Sequence, residues 1–287
     1  SIAPNIYTYK HIYLLYTITY LTIISNSRPQ QTYNMRVHWG VRNIPRFDKK
    51  SDGGDDGWFI SEASQSCGVA DGVGSWRNKN VKPGVYTRSL MAITKNRIES
   101  GLNPYDALKS AYEEWQDESN YGSTTFCIAQ LLNNVLYVAQ LGDTCILVQR
   151  KGRVVYQSNE QEHLFNVPFQ LGSGNDSIED SWRYQISLLP GDTIVLASDG
   201  LYNNLYRNNI LSIINSYPIS ASDPSALAQS IADELATVSH IQSLNDKIWS
   251  PYAQRSYEMG ITGAFVPNQL GGKPDDITVV VGRVLED

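Results

Sequence analysis

Between Ser123 and Gln157 the chain reads STTFCIAQLL, Asn133-Asn134, VLYVAQLGD, TCILVQR, Lys151-Gly152, RVVYQ. Two β-rich runs joined by a two-residue turn make a hairpin, and here two hairpins follow one another. Strands joined that tightly run antiparallel, because a parallel neighbour needs a long crossover. A parallel doubly wound sheet is therefore excluded for this segment, and the rest of the chain has to be arranged around antiparallel sheets.

The flanking segments alternate in the same way. WFISE and SCGVA are short strands around a turn. PGVYTRSLMAITKNRIES carries Leu90, Ile93 and Ile98 at helical spacing. In NPYDALKSAYEEWQDE, Asn103 suits the N-cap, Pro104 the first turn and Asp106 the positive end of the dipole; Tyr105, Leu108, Tyr112 and Trp115 share one face. WRYQISLLPGDTIVLASDG adds two strands around Pro190-Gly191. Helices follow near NNILSIINSY and over DPSALAQSIADELATVSHIQ, and the β-branched run ITVVVGRV closes the chain as a buried strand. The expectation is an α+β fold of two stacked antiparallel sheets with helices outside.

With 287 residues, 41% of them hydrophobic, the chain can build one large domain or two modest ones. The net charge of −6 and the lack of a long basic run exclude an electrostatic footprint for nucleic acid. Cys67, Cys127 and Cys145 sit singly in apolar runs, as buried reduced thiols do, and fit a reducing compartment. The apolar stretch from Ile12 to Ile24, interrupted by Thr17, Thr19 and Thr22, is too short and too hydroxylated for a membrane span. It loosely resembles a signal peptide; it also lacks acidic residues, as organelle transit peptides do, but has few arginines. Residues 1–40 are expected to be a leader or tail, and residues 41–287 a single domain.

Carboxylates recur at strand ends. Asp71 ends the run CGVA, Asp199 ends IVLAS, and Asp275-Asp276 precede ITVVV. Asp55-Asp56 stand before the first strand, and Asp143 sits between two hairpin strands. A carboxylate placed there loses hydration and needs a positive partner. Each Asp-Gly alone reads as a turn. Together they offer hard oxygen ligands for Mg²⁺ or Mn²⁺, with the Gly72 carbonyl as a further donor. Two such ions about 4 Å apart would clamp a phosphoryl oxygen and acidify a bridging water for in-line attack on phosphorus.

Taken in order, Asp55-Asp56, VADGVGSW, GSTT at Gly122–Thr125, LGDT at Asp143, ASDGLYNN at Asp199 and GGKPDDITVVV at Asp275 resemble the metal-dependent serine/threonine protein phosphatases of type 2C. The block EQEHLFNVPFQL, Glu160 to Leu171, is similar to that of the mitochondrial branch. The resemblance covers residues from about 50 to 285 and implies a four-layer αββα sandwich with a dinuclear Mg²⁺/Mn²⁺ site at one edge. By position it implies that Asp71 bridges both ions, Gly72 contributes its carbonyl, and Asp199 and Asp275 ligate one ion. These three aspartates form the catalytic set. Asp55 and Asp56 would hold metal-bound water, Asp143 a weak third ion, and Asp276 would orient its neighbour. The expected activity is hydrolysis of phosphoserine or phosphothreonine in protein substrates by a metal-bridging hydroxide. The chain would act as a monomer in mitochondria, without a stable membrane span.

Two positions depart from the family pattern. Val73 stands where many members have the histidine that protonates the leaving alkoxide. The phosphate-binding arginine has no clear equivalent among Arg46, Lys49 and Lys50. His163 reads as packing. These departures keep a partner-binding pseudophosphatase as the alternative, and a small-phosphoester hydrolase as a third reading.

Overall fold

The computed structural model describes residues 34–116, 121–173, 176–219, 221–261 and 270–287. The described residues form one compact unit from Asn34 to Asp287. Strands β1 (Met35–Ile44), β6 (Cys145–Arg150), β7 (Arg153–Gln157), β12 (Thr193–Ala197) and β13 (Ile277–Glu286) form one sheet in the order β1-β13-β12-β6-β7. Strands β2 (Gly57–Ser61), β3 (Ser66–Gly72), β4 (Ser123–Leu132), β5 (Val135–Leu141) and β11 (Trp182–Ser187) form the other, in the order β11-β5-β4-β3-β2, with β10 (Leu171–Gly172) also on β4. A small hairpin joins β8 (Glu162–Leu164) to β9 (Val167–Pro168). Every named pairing in the sheets is antiparallel.

Both expected hairpins are present. Asn133 and Asn134, at φ 49° and 66°, turn β4 into β5, and Lys151 and Gly152, at φ 49° and 82°, turn β6 into β7. Positive φ at both turn residues matches the right-handed strand twist. Pro190-Gly191 plays a different part. β11 pairs with β5 in one sheet and β12 with β6 and β13 in the other, so this link carries the chain between sheets.

The two sheets stack, with β12 and β13 against β3 and β6 against β4. Helices α1 (Pro83–Glu99) and α2 (Pro104–Trp115) cover the outer face of the β2–β5 sheet, where Leu90, Met91 and Leu108 meet Phe126 and Ile128. The one-turn α3 (Asp199–Tyr202), α4 (Arg207–Ser216) and α5 (Pro224–Ser243) cover the other sheet, where Leu227, Ile231 and Leu235 meet Val195, Val279 and Val281. The period of two turns Ile194, Leu196, Val280, Val69 and Cys127 to the opposite faces, also buried. The result is the expected four-layer αββα sandwich. Asn103 caps α2 by accepting the Asp106 backbone N–H at 3.0 Å, and α6 (Pro251–Glu258) follows after α5.

The expected domain boundary needs correction. β1 starts at Met35 and pairs with β13 along its whole length, from Met35 opposite Glu286 to Ile44 opposite Ile277. Residues 35–40 are thus the first strand of the sandwich. Their alternation buries Met35, Val37 and Trp39. Gly40 is required by the helix above it, since a Cβ there would lie 2.2 Å from the Gln229 backbone nitrogen. The apolar stretch Ile12–Ile24 lies outside the described residues. No helix among those described is long and apolar enough to cross a membrane.

Candidate active site

The carboxylates converge where strands of both sheets end. β3 ends at Asp71-Gly72, β12 ends just before Asp199, and β13 begins just after Asp275-Asp276. Asp55 and Asp56 lead into β2, and Asp143 lies between β5 and β6. Gly72 lets two of these segments touch, because a Cβ there would stand 2.6 Å from the Asp55 carbonyl oxygen.

The two members of the acidic pair have different partners. Asp55 is buried with both oxygens engaged, by Lys49 Nζ at 2.8 Å and by Arg77 Nε at 2.9 and 3.0 Å. Asp56 accepts on Oδ2 from Thr278 Oγ1 at 2.6 Å and from Ser198 Oγ at 2.9 Å, while its buried Oδ1 has no hydrogen-bond partner. Burial, together with Asp276 nearby, pushes the Asp56 carboxyl well above the usual range. Burial also raises Asp71, with like-charge pressure from Asp56, Asp199, Asp275 and Asp143. Asp143 is raised by burial and by Asp199, against the pull of Lys273.

Asp199 opens α3. Its Oδ2 accepts from Asn203 Nδ2 at 2.9 Å and from the Lys273 ammonium, and its buried Oδ1 has no partner. Burial raises its carboxyl although Lys273 opposes the shift. Asp275 is the exception. Burial would raise it, but Lys273 and Lys49 outweigh burial and hold it below the usual range. Asp276 acts as a brace: Oδ1 accepts from Arg46 N at 2.7 Å, and Oδ2 accepts from Lys49 Nζ at 2.8 Å and Asp55 N at 3.0 Å.

Of the three cations considered from sequence, only Lys49 enters the cluster; Arg46 pairs with Asp48 at 2.6 Å and Lys50 is exposed. Arg77 and Lys273 are additions that sequence reasoning passed over. Lys273 stood inside a motif read only for its aspartates, and Arg77 stood one residue past another. The GSTT motif gains a function as a prop. Thr124 Oγ1 donates to the Asp71 carbonyl at 2.8 Å, and Ser123 Oγ accepts from Trp76 Nε1 at 2.7 Å. His163 stacks on Phe169 at 3.9 Å and bonds Asp176 at 2.8 Å. Val73 offers the site no titratable group.

Hard oxygen donors from several strand ends are the chemistry a divalent cation such as Mg²⁺ requires. The residues fit such an ion: Oδ1 of Asp56 and Oδ1 of Asp199 are buried acceptors without hydrogen bonds. Among the described residues no three His, Cys, Asp or Glu side chains are already gathered around one point; ammonium groups stand between the carboxylates instead.

The family model for protein phosphatase 2C matches residues 42–236. The chain belongs to the protein phosphatase 2C family. Relatives include "Probable protein phosphatase 2C 80" of Arabidopsis thaliana, 34% identical over 258 residues that cover 88% of this chain and 59% of the relative. "Protein phosphatase PTC7 homolog fig" of Drosophila melanogaster is 32% identical over 284 residues, covering 91% of this chain and 87% of the relative. The chain spans 59% and 53% of the length of the two Arabidopsis relatives. Among solved structures, that of the photosystem II phosphatase PBCP is 30% identical with a TM-score of 0.78, covering 86% of this phosphatase-family chain and 98% of that one. The catalytic domain of the phosphatase PstP with two manganese ions shares the fold, at a TM-score of 0.61 and 16% identity over 88% of this chain and 100% of that one.

Proposed function

We propose that this chain is a metal-dependent protein serine/threonine phosphatase. The observation that carries the reading is the pair of buried, unpartnered oxygens, Asp56 Oδ1 and Asp199 Oδ1, within one cluster of mutually repelling carboxylates. The structure of PstP with two manganese ions supports the choice of two ions and of Mn²⁺, and hard oxygen donors suit Mg²⁺ as well. Asp71, Asp199 and Asp275 would hold them, with the Gly72 carbonyl and Asp56, and Asp143 would hold a weaker third. Divalent cations at such a site neutralise phosphoryl oxygens and acidify water.

The chain's own residues supply the rest. Asp55 is tied to Lys49 and Arg77, so it acts by fixing those cations. Arg77, partly exposed beside Asp55, is the cation placed to meet a phosphate, while Lys49 is buried against Asp55, Asp275 and Asp276 and braces the cluster. Val73 cannot protonate a leaving alkoxide, so that proton would come from metal-bound water or from another residue of the site. The intact set Asp71, Asp199 and Asp275 favours turnover over a partner-binding pseudophosphatase. Substrates are phosphoproteins, and the enzyme works as a monomer in mitochondria, an address supported by the resemblance of the Glu160–Leu171 block to that branch. Recovery of the native protein in the cytosolic fraction alone would overturn the address.

Phosphate release from a phosphothreonine peptide, with and without Mn²⁺, tests the activity. Metal-dependent turnover should fall about a thousandfold or more in Asp199→Ala, the size of effect expected when charge stabilisation of several kcal/mol is lost. Mn²⁺ binding without turnover would make the pseudophosphatase the better account.

A further inference from the structure

We propose that Lys273 is a built-in competitor of the metal, fixed against Asp199 and Asp275 so that divalent cations bind there more weakly than the carboxylates alone would allow. The inference rests on the metallophosphatase reading above. The Lys273 ammonium contacts Asp199 Oδ2 and lies 3.3 Å from Asp275 Oδ2. Its side chain is 17% exposed, so it does not swing freely as a surface lysine does.

The chain builds this placement from both sides. Lys273 N donates to Asn204 Oδ1 at 2.8 Å, and Asn204 Nδ2 donates to the Lys273 carbonyl at 2.9 Å. The same Asn204 nitrogen donates to Gly200 O at 2.9 Å, which ties the lysine's backbone to the loop that carries Asp199. Asn203 holds Asp199 Oδ2 at 2.9 Å, the oxygen that Lys273 also meets. The ammonium lies over the Tyr252 ring, 5.5 Å from its centroid. Within the Asn203-Asn204 pair, one residue therefore orients the aspartate and the other orients its cation.

A fixed positive charge beside two ligand carboxylates opposes a second cation at the same oxygens. The opposition is reciprocal, because a bound metal weakens the lysine's hold by the same factor. Lys273 thus relieves repulsion among Asp143, Asp199 and Asp275, and in return it lowers metal affinity. Loading of the site then follows the free metal concentration. Lys49 makes a parallel contact to Asp275 at 3.5 Å but braces Asp276 and Asp55 as well, each at 2.8 Å. Its removal would disturb the framework, so Lys273 is the residue to test.

The experiment is Mn²⁺ titration of the metal-stripped full chain by calorimetry, at fixed pH and salt, for wild type, Lys273→Met and Lys273→Arg. Methionine keeps an unbranched apolar stem and removes the charge, and arginine keeps the charge. Lys273→Met should bind Mn²⁺ about tenfold tighter or more, and Lys273→Arg within a few fold of wild type. The rise in melting temperature on adding Mn²⁺ should also be larger in Lys273→Met. Unchanged or weaker binding in that variant overturns the proposal. If Lys273→Met does not fold, Lys273→Gln is read by the same criterion. A wild type that binds no Mn²⁺ removes the metallophosphatase reading and this inference together; wild-type binding with no gain in the variant removes this inference alone.

Discussion

Asp56 is buried with one oxygen held by Thr278 and Ser198 and the other without a partner, and burial lifts its carboxyl well above the usual range. Asp71, Asp143 and Asp199 are lifted for the same first reason, with like charges adding to it for each. A carboxyl raised in the native state binds more protons there than in the unfolded chain, between the ordinary value of about 4 and its raised value. Stability from these groups is therefore full at the acid side of that window and declines as pH rises through it. Asp275 has the opposite sign: held low by Lys273 and Lys49 against burial, it stabilises above the ordinary value and loses that contribution in acid. Asp275 acts only below the ordinary value and the four raised groups only above it, so the melting temperature in chelator should be lower at about pH 8 than at about pH 5.5. Added Mn²⁺ should reverse the slope, since the cation binds the deprotonated forms. Calorimetric melts at both pH values check this; a chelated protein that grows more stable with pH would contradict the carboxylate crowding. The aspartates were legible in the sequence because each interrupts or borders an apolar run. Lys273 and Arg77 were not, since a lone cation in a polar loop has the same local signature as a solvated one.

At the scale of elements, hairpins and helix starts were legible because their signals are local: Asn133-Asn134 and Lys151-Gly152 supply the turn conformations, and Asn103 supplies its cap. Sheet order was not, because β1 and β13 lie far apart in the sequence and no local signal records which distant strands pair. The edge of β1 shows how such a strand is secured. Gln229 on α5 accepts the Val41 N–H on Oε1 at 3.0 Å and donates from Nε2 to the Val41 carbonyl at 2.8 Å. One side chain thereby satisfies an edge residue that would otherwise offer its backbone to another chain. Gln229→Ala should cost about 1–2 kcal/mol, the usual consequence of leaving buried backbone groups unpaired. Gly40→Ala should cost more, about 3 kcal/mol or above, because its Cβ would fall 2.2 Å from helix backbone that cannot yield alone. Urea unfolding of both variants gives the ranking, and equal losses would mean that the α5–β1 contact is looser than the structure shows.

The whole molecule depends on β1 through β13. β13 lies between β1 and β12 inside its sheet, and the residue before it is Asp276, which braces Lys49 and Asp55. Removing residues 1–40 would delete the partners of residues 281–286 and take Met35, Val37 and Trp39 out of the core. At about 1.5–3 kcal/mol for each large buried side chain, the loss approaches the whole stability of a typical domain. It would also expose the unpaired backbone of residues 281–286 at the β13 edge to intermolecular pairing. A variant that begins at Asn34 keeps the compact unit intact. Expression of the two should therefore separate sharply: the chain starting at Asn34 soluble, cooperative in urea and able to bind Mn²⁺, the chain starting at Val41 aggregated or without a cooperative transition. If the shorter chain folded and bound Mn²⁺ as well as the longer one, β1 would be dispensable, and the position of Asp275-Asp276 would have to be set by β12 and α3 alone.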